Sequence, residues 1–381
     1  MRNVLLAFVA WMSGAATTPA AAQEPTAADD TRPTDSAGSA PAAAAAEPSL
    51  LDDLDVSFDA FVDVYYAYDF NEPRGRERAF TTQPLRHDEF NVNFAFIRAQ
   101  ATGERVRGSF GFGLGTYVQA NYAAEPEILQ NVFEAYAGVK LGDSTWLDAG
   151  VMPSHIGLES AISSQNWTLT RSLVADFSPF YETGVRLGLS PSEHVSATFL
   201  VLNGFQTIRE TNDHKAVGAQ LQVRPSDRVV LNYSNYLSDE APDDESSQVR
   251  FFHDLFVTFS VTDAIGLAAV FDVGTQERPD DDSATWYGTA LIARYAFAPG
   301  WAVAARGEYY HDPDQVLVVT GTPDGFRTAG ASLNLDYAPA EGVLMRIEGR
   351  LLDSEDEVFP SETDDRSDQD PLLTTSIAFT F

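Results

Sequence analysis

Cysteine is absent from this 381-residue chain, so no disulfide framework, thiolate metal site or cysteine nucleophile is available. Cations are scarce. The 24 Lys and Arg residues face 56 Asp and Glu, for a formal net charge of -32. That balance excludes a phosphate-binding face for nucleic acid and a basic patch for anionic lipid. Helix-length apolar runs are missing too. The one short run, Val4 to Met12 behind Arg2, ends in Ala20-Ala21-Ala22. A charged start, a short apolar core and small residues at the end make residues 1–22 a secretory signal. It is too short to span a bilayer as a helix. Residues 23–50 hold mostly Ala, Pro, Thr, Asp and Ser, without periodicity, and are expected to be a disordered periplasmic linker.

What the chain does have is aromatics, 12% of the residues, and a period of two. From Val56 to Phe70 every second residue is apolar (Val56, Phe58, Ala60, Val62, Val64, Tyr66, Tyr68, Phe70). The intervening positions include Ser57, Asp59, Asp63 and Asp69. Such alternation is a strand with one greasy and one wet face. It recurs in segments 55–70, 89–102, 104–122, 129–141, 145–154, 181–190, 194–205, 215–224, 228–238, 250–261, 264–276, 284–297, 301–311, 324–337, 342–353 and 371–381. About sixteen strands (14–18) are therefore expected. Clean alternation is weakest in 250–261, and Pro153 sits in 145–154.

Connections alternate in length. Gly142-Asp143-Ser144, Pro225-Ser226-Asp227 and Ala298-Pro299-Gly300 are short, whereas 71–88, 155–180, 239–249, 312–323 and 354–370 are long. Short turns on one side and long loops on the other are the pattern of an outer-membrane barrel, and a soluble sandwich has no reason to sort them. Backbone in hydrocarbon must pair fully, so the apolar faces turn outward to lipid and the polar faces line water. The expectation is an all-β, antiparallel, up-and-down transmembrane barrel over residues 51–381. Tyr66, Tyr68, Phe70, Tyr122, Tyr236, Trp286, Trp301, Tyr309 and Tyr310 are expected to form interfacial girdles.

The segments Ile156-Gly157-Leu158-Glu159, Thr170-Arg171-Ser172-Leu173 and Pro179-Phe180-Tyr181-Glu182-Thr183-Gly184-Val185, with Leu202-Asn203-Gly204-Phe205, resemble the β-barrel porin-2 (OmpL-like) family. Where members often carry His after Pro-Phe-Tyr, Glu182 stands here. The closing Ser376-Ile377-Ala378-Phe379-Thr380-Phe381 is similar to the C-terminal signal that the barrel assembly machinery reads, with Phe381 its key residue. The resemblance implies a water-filled pore in the bacterial outer membrane for passive diffusion of small polar solutes and ions. It implies no cofactor or catalysis, and allows a homotrimer.

In trimeric sixteen-stranded porins the third external loop narrows the channel, and 155–180 is the third here. Its Glu159, Arg171 and Asp176 would face wall residues Arg98, Arg107, Glu134, Arg186, Arg306, Glu308, Arg346, Glu348 and Arg350 across an eyelet that orients solutes. Equally, those charges could simply pair within a wet lumen. Acidic clusters such as Asp243-Asp244-Glu245 and Glu355-Asp356-Glu357 fall on the outer side, where they would solvate the surface or bridge to lipopolysaccharide through divalent cations. The competing function is a structural or adhesive barrel with an occluded lumen. His87-Asp88, His253-Asp254 and His311-Asp312 lack an accompanying serine motif and supply no catalytic site.

Overall fold

Alternating side chains, short turns and long loops produce sixteen antiparallel strands that close on themselves in the computed structural model. It describes residues 53–279, 282–363 and 365–381. The signal assigned to 1–22 and the linker assigned to 23–50 lie outside the described residues.

The strands run β1 (Asp55–Asp69), β2 (Phe90–Thr102), β3 (Val106–Leu114), β4 (Val132–Gly142), β5 (Thr145–Pro153), β6 (Tyr181–Ser192), β7 (Val195–Leu202), β8 (Ala216–Ser226), β9 (Val229–Asp239), β10 (Val249–Ser260), β11 (Ile265–Glu277), β12 (Ser283–Ala298), β13 (Trp301–Asp312), β14 (Phe326–Ala340) and β15 (Val343–Ser354). A two-stranded clip, β16 (Phe359–Pro360) with β17 (Arg366–Ser367), sits in the last long loop before β18 (Gln369–Thr380). Each barrel strand pairs with its sequence neighbour, and β18 returns to β1 with Thr380 opposite Phe61. Phe381 extends that seam. Its amide donates to the Ala60 carbonyl at 2.9 Å. Closure leaves no edge strand, which is what hydrocarbon demands. Segment 250–261 is a regular strand despite its weak alternation.

The faces divide as the period requires. Phe58, Ile97, Phe110, Leu291, Leu333 and Ile347 stand exposed on the outside. Aromatic rims mark both ends of this band. Tyr66 packs on Phe90 and Tyr287 on Tyr309 near the long loops; Trp301 stacks on Tyr337 at 4.3 Å near the short turns. Four expected rim residues belong elsewhere. Tyr236, Trp286 and Tyr310 fall on the inward register of β9, β12 and β13 and are buried in an apolar cluster inside the barrel. Tyr122 is buried as well, stacked on Tyr181 at 4.2 Å.

The expected strand 104–122 is also shorter. Gly115 (φ 123°) ends it, because a Cβ there would collide with the Asn93 carbonyl. A short helix, α1 (Thr116–Asn121), follows and folds inward. Tyr117 then packs against Phe94 at 4.9 Å. Gly111 and Gly113 leave room on the inner face for Phe133 and Phe94, as their alternate placement implies.

Candidate functional site

The inner face takes its chemistry from the polar half of each strand, and the long segment 154–180 between β5 and β6 decides how that face is used. This loop enters the barrel. Two short helical turns, Ser163–Gln165 and α2 (Leu173–Asp176), give it shape, and Ser172 caps α2 by accepting from the Ala175 amide.

One wall grips the loop's backbone. Arg306 on β13 donates to the Thr170 carbonyl at 2.6 Å and to the Thr168 and Thr170 hydroxyls at 2.7 Å. Arg346 on β15 donates to the carbonyls of Ser163 and Asn166 at 2.8 and 2.6 Å while paired with Asp336. Glu348 accepts from the Thr170 amide and hydroxyl, and Glu308 accepts from the Leu173 amide. Arg350 closes the group with a two-pronged pair to Glu308 at 2.9 Å. Glu159, on the loop itself, binds Ser172 and lies 3.8 Å from Arg306. Burial holds the Glu159 carboxyl above its ordinary range, against the pull of Arg306. All these side chains are shielded from water. Buried charges survive only when paired and hydrogen-bonded, and every one of them is engaged here.

The loop is tied elsewhere too. Ser163 donates to Asp63 of β1 at 2.6 Å. At its root His155 meets Glu182 at 2.8 Å through Nδ1 and the Asn235 carbonyl at 2.8 Å through Nε2. Two acceptors on one ring call for the doubly protonated form. Burial is the largest single influence and opposes that charge, but Glu182, the Asn235 carbonyl and Asp254 together raise the His155 pKa. Arg171 donates to the Thr82 hydroxyl, lies 3.6 Å from Asp176, and rests against the rings of Tyr117 and Phe180.

The wall from β1 to β6 is different. Arg98 is paired with Asp59 and Glu134 under an aromatic cluster. Toward the short turns, Arg107 and Arg186 both bind Asp148 and remain partly open to water. Toward the long loops, a cavity of about 530 Å³ lies between loop 71–88 and α1, bordered by Arg78, Thr82, Arg86, Asn91 and Gln119.

A closed sixteen-stranded barrel with an inward third loop is a porin's geometry, and a family model agrees with it along residues 55–381. The chain belongs to the putative beta-barrel porin-2, OmpL-like family. It is an outer-membrane porin, located in the bacterial outer membrane. No individually curated protein matches it in sequence. Among solved structures this porin is similar in fold to OmpT of Vibrio cholerae in its trimer form (TM-score 0.59, 8% identity, covering 87% of this chain and 100% of that one). It is also similar to the outer membrane channel DcaP of Acinetobacter baumannii (0.58, 12%, 86% and 98%). The anion-selective porin from Comamonas acidovorans compares likewise (0.57, 10%, 86% and 100%).

The residues singled out from the porin's sequence therefore fall into separate groups. Glu159, Arg306, Glu308, Arg346, Glu348 and Arg350 come together around the loop backbone. Arg171 and Asp176 meet beside Thr82. Arg98 joins Glu134, and Arg107 joins Arg186. Sequence reasoning missed Asp148, which links that last pair, although it lies on the polar face of its strand. It also missed Thr168 and Thr170, which contribute through both hydroxyl and backbone.

Proposed function

We propose that this porin passes small hydrophilic solutes and ions by passive diffusion, with loop 155–180 narrowing the lumen from the β13–β15 side. The observation that carries this reading is the clamp of Arg306 and Arg346 on the loop's carbonyls. It fixes the loop across part of the bore, while Arg107 on β3 and Arg186 on β6 stay partly open to water. Selection then depends on width and wall charge, with no catalysis or cofactor required. Residues 1–22 would direct export and 23–50 would follow as a periplasmic linker. Phe381 would be read by the barrel assembly machinery, and lipopolysaccharide would surround the acidic loops. A homotrimer fits, as the Vibrio cholerae OmpT relative has a trimer form.

The second reading, a structural barrel with an occluded lumen, draws on one observation. Leu173, Trp286, Tyr310, Phe326 and Phe359 pack together inside the end that carries the long loops. Liposome swelling separates the two. A diffusion porin admits arabinose and small amino acids at rates that fall with solute size; an occluded barrel admits none.

A further inference from the structure

We propose that the half of the lumen nearest the short turns selects anions, so that the solutes of this porin carry carboxylate or phosphate groups. The inference rests on the diffusion reading above and adds the class of solute.

The cross-strand register sets Arg107, Gly138, Asp148 and Arg186 side by side on the inner face of β3–β6. Asp148 is 0% exposed, whereas the side chains of Arg107 and Arg186 are 33% and 23% exposed. Arg107 binds both carboxylate oxygens at 2.7 Å, and Arg186 approaches from the other side at 3.1 Å. Two guanidinium groups therefore cover one carboxylate, and water meets only the cations. Trp146 lies 4.4 Å beneath the Arg107 guanidinium and Tyr136 lies 5.6 Å from that of Arg186. These rings hold the groups extended along the wall. Gly138 makes the arrangement possible, since a Cβ there would collide with the Asp148 carboxylate.

Three more cations share this end of the inner face. Lys140 lies level with Trp146, two residues beyond Gly138. Arg224 lies two residues beyond Gln222 on the same face, and Arg294 lies opposite Gly266. None has a carboxylate within ion-pair distance among the described residues. The Asp336 near Arg294 is already engaged by Arg346 at 2.8 Å. Of the other inward carboxylates of this half, Asp59 and Glu134 are both paired to Arg98, and Asp55 stands exposed on the same face of β1 at the turn-side mouth. Asp143, Glu193, Asp227 and Asp263 lie on the turns outside the wall, in bulk water that screens them within about 10 Å at 0.1 M salt. A chain of net charge -32 thus sets five cations on this half of the inner face against the covered Asp148, the paired Asp59 and Asp55 at the mouth. Low-dielectric walls strengthen that field, and Arg forks match carboxylate and phosphate geometry.

The test is the zero-current potential of the full chain in planar bilayers under a KCl gradient. The wild type is expected to prefer chloride over potassium at least about threefold near 0.1 M salt, with the preference fading toward 1 M as screening shortens. Lys140→Gln/Arg224→Gln/Arg294→Gln should at least halve the ratio, and the matching Glu triple should invert it. Arg224→Lys/Arg294→Lys, which keeps the charge, should retain it. Succinate and phosphate, added separately on the turn side, should each reduce the chloride current in the wild type and not in the Gln triple. A block by one of them alone assigns the solute to that group. A wild type that prefers potassium, or a ratio unmoved by both triples, overturns the proposal while leaving the diffusion reading intact. A wild type with no conductance overturns the diffusion reading itself, and this inference with it.

Discussion

Arg306 reaches from the wall of β13 into the middle of the inward loop and donates to the Thr170 carbonyl at 2.6 Å. The contact binds main chain, and the Thr168 and Thr170 hydroxyls beside it accept the other two bonds, so backbone and side chain together fix the loop's path. Removing it has two consequences. The loop loses three hydrogen bonds, and Glu308 and Glu348 are left buried with less compensation. Breaking a buried pair by deleting one partner costs about 3–5 kcal/mol. Arg306→Ala is therefore expected to lower the temperature at which the folded band converts to the unfolded band in detergent electrophoresis, and to expose the Thr168–Leu173 amides to hydrogen exchange. Arg306→Lys should recover part of the loss, because it restores charge without the fork.

The clamp also explains how far the sequence could be read. Strand period, turn length and closure depend on local patterns, and these are written residue by residue; even β10 proved regular. Inward and outward aromatics are another matter. Tyr309 and Tyr310 are neighbours in sequence, yet one joins the outer rim and the other the inner cluster. Only the strand's parity separates them, and aromatic rings satisfy either side. Helix α1 was hidden for a similar reason. Tyr117, Val118 and Tyr122 suit a strand edge as well as one helical turn, and the positive φ of Gly115 decides between them. Wall charges were legible as residues. Their partners were not, because Arg306 and Arg346 reach carbonyls of a loop distant in sequence as well as side chains, and no side-chain pattern reveals the carbonyls.

The loop's root carries a pH dependence. The His155 pKa is raised above its ordinary value of 6.5, since Glu182, the Asn235 carbonyl and Asp254 together exceed the cost of burial. A group whose folded pKa is raised adds stability that is fully present below the unfolded pKa and lost as pH rises through the folded one. The root should therefore loosen on the alkaline side of about pH 6.5, visible as rising open-channel noise. His155→Gln should remove that pH dependence. Wild-type noise that grows instead on acidification would contradict the sign.

Gly138 offers a test of the Asp148 bridge without touching any charge. The added methyl of Gly138→Ala must displace the Asp148 carboxylate. The barrel should still fold, because the change lies on a wet face. Arg107 and Arg186 should lose their shared partner, with a measurable shift in zero-current potential. A variant indistinguishable from wild type would mean the bridge does not shape the field.

Phe381 closes the seam by exchanging backbone bonds with Ala60, whose amide donates in return at 3.4 Å. Deleting Phe381 removes that exchange and the end of the proposed assembly signal. The expected outcome is a several-fold fall in heat-modifiable barrel recovered from outer membranes, with little change in barrel refolded directly in detergent. Equal losses in both would place the defect in the fold and not in recognition.

An anchored loop that narrows a conducting lumen is tested most directly by unitary conductance. Wild-type channels in symmetric KCl should open in uniform, ohmic steps, and Arg306→Ala should raise the step size as the loop leaves the bore. Wild-type bilayers without steps, or a step size unchanged by Arg306→Ala, would contradict it.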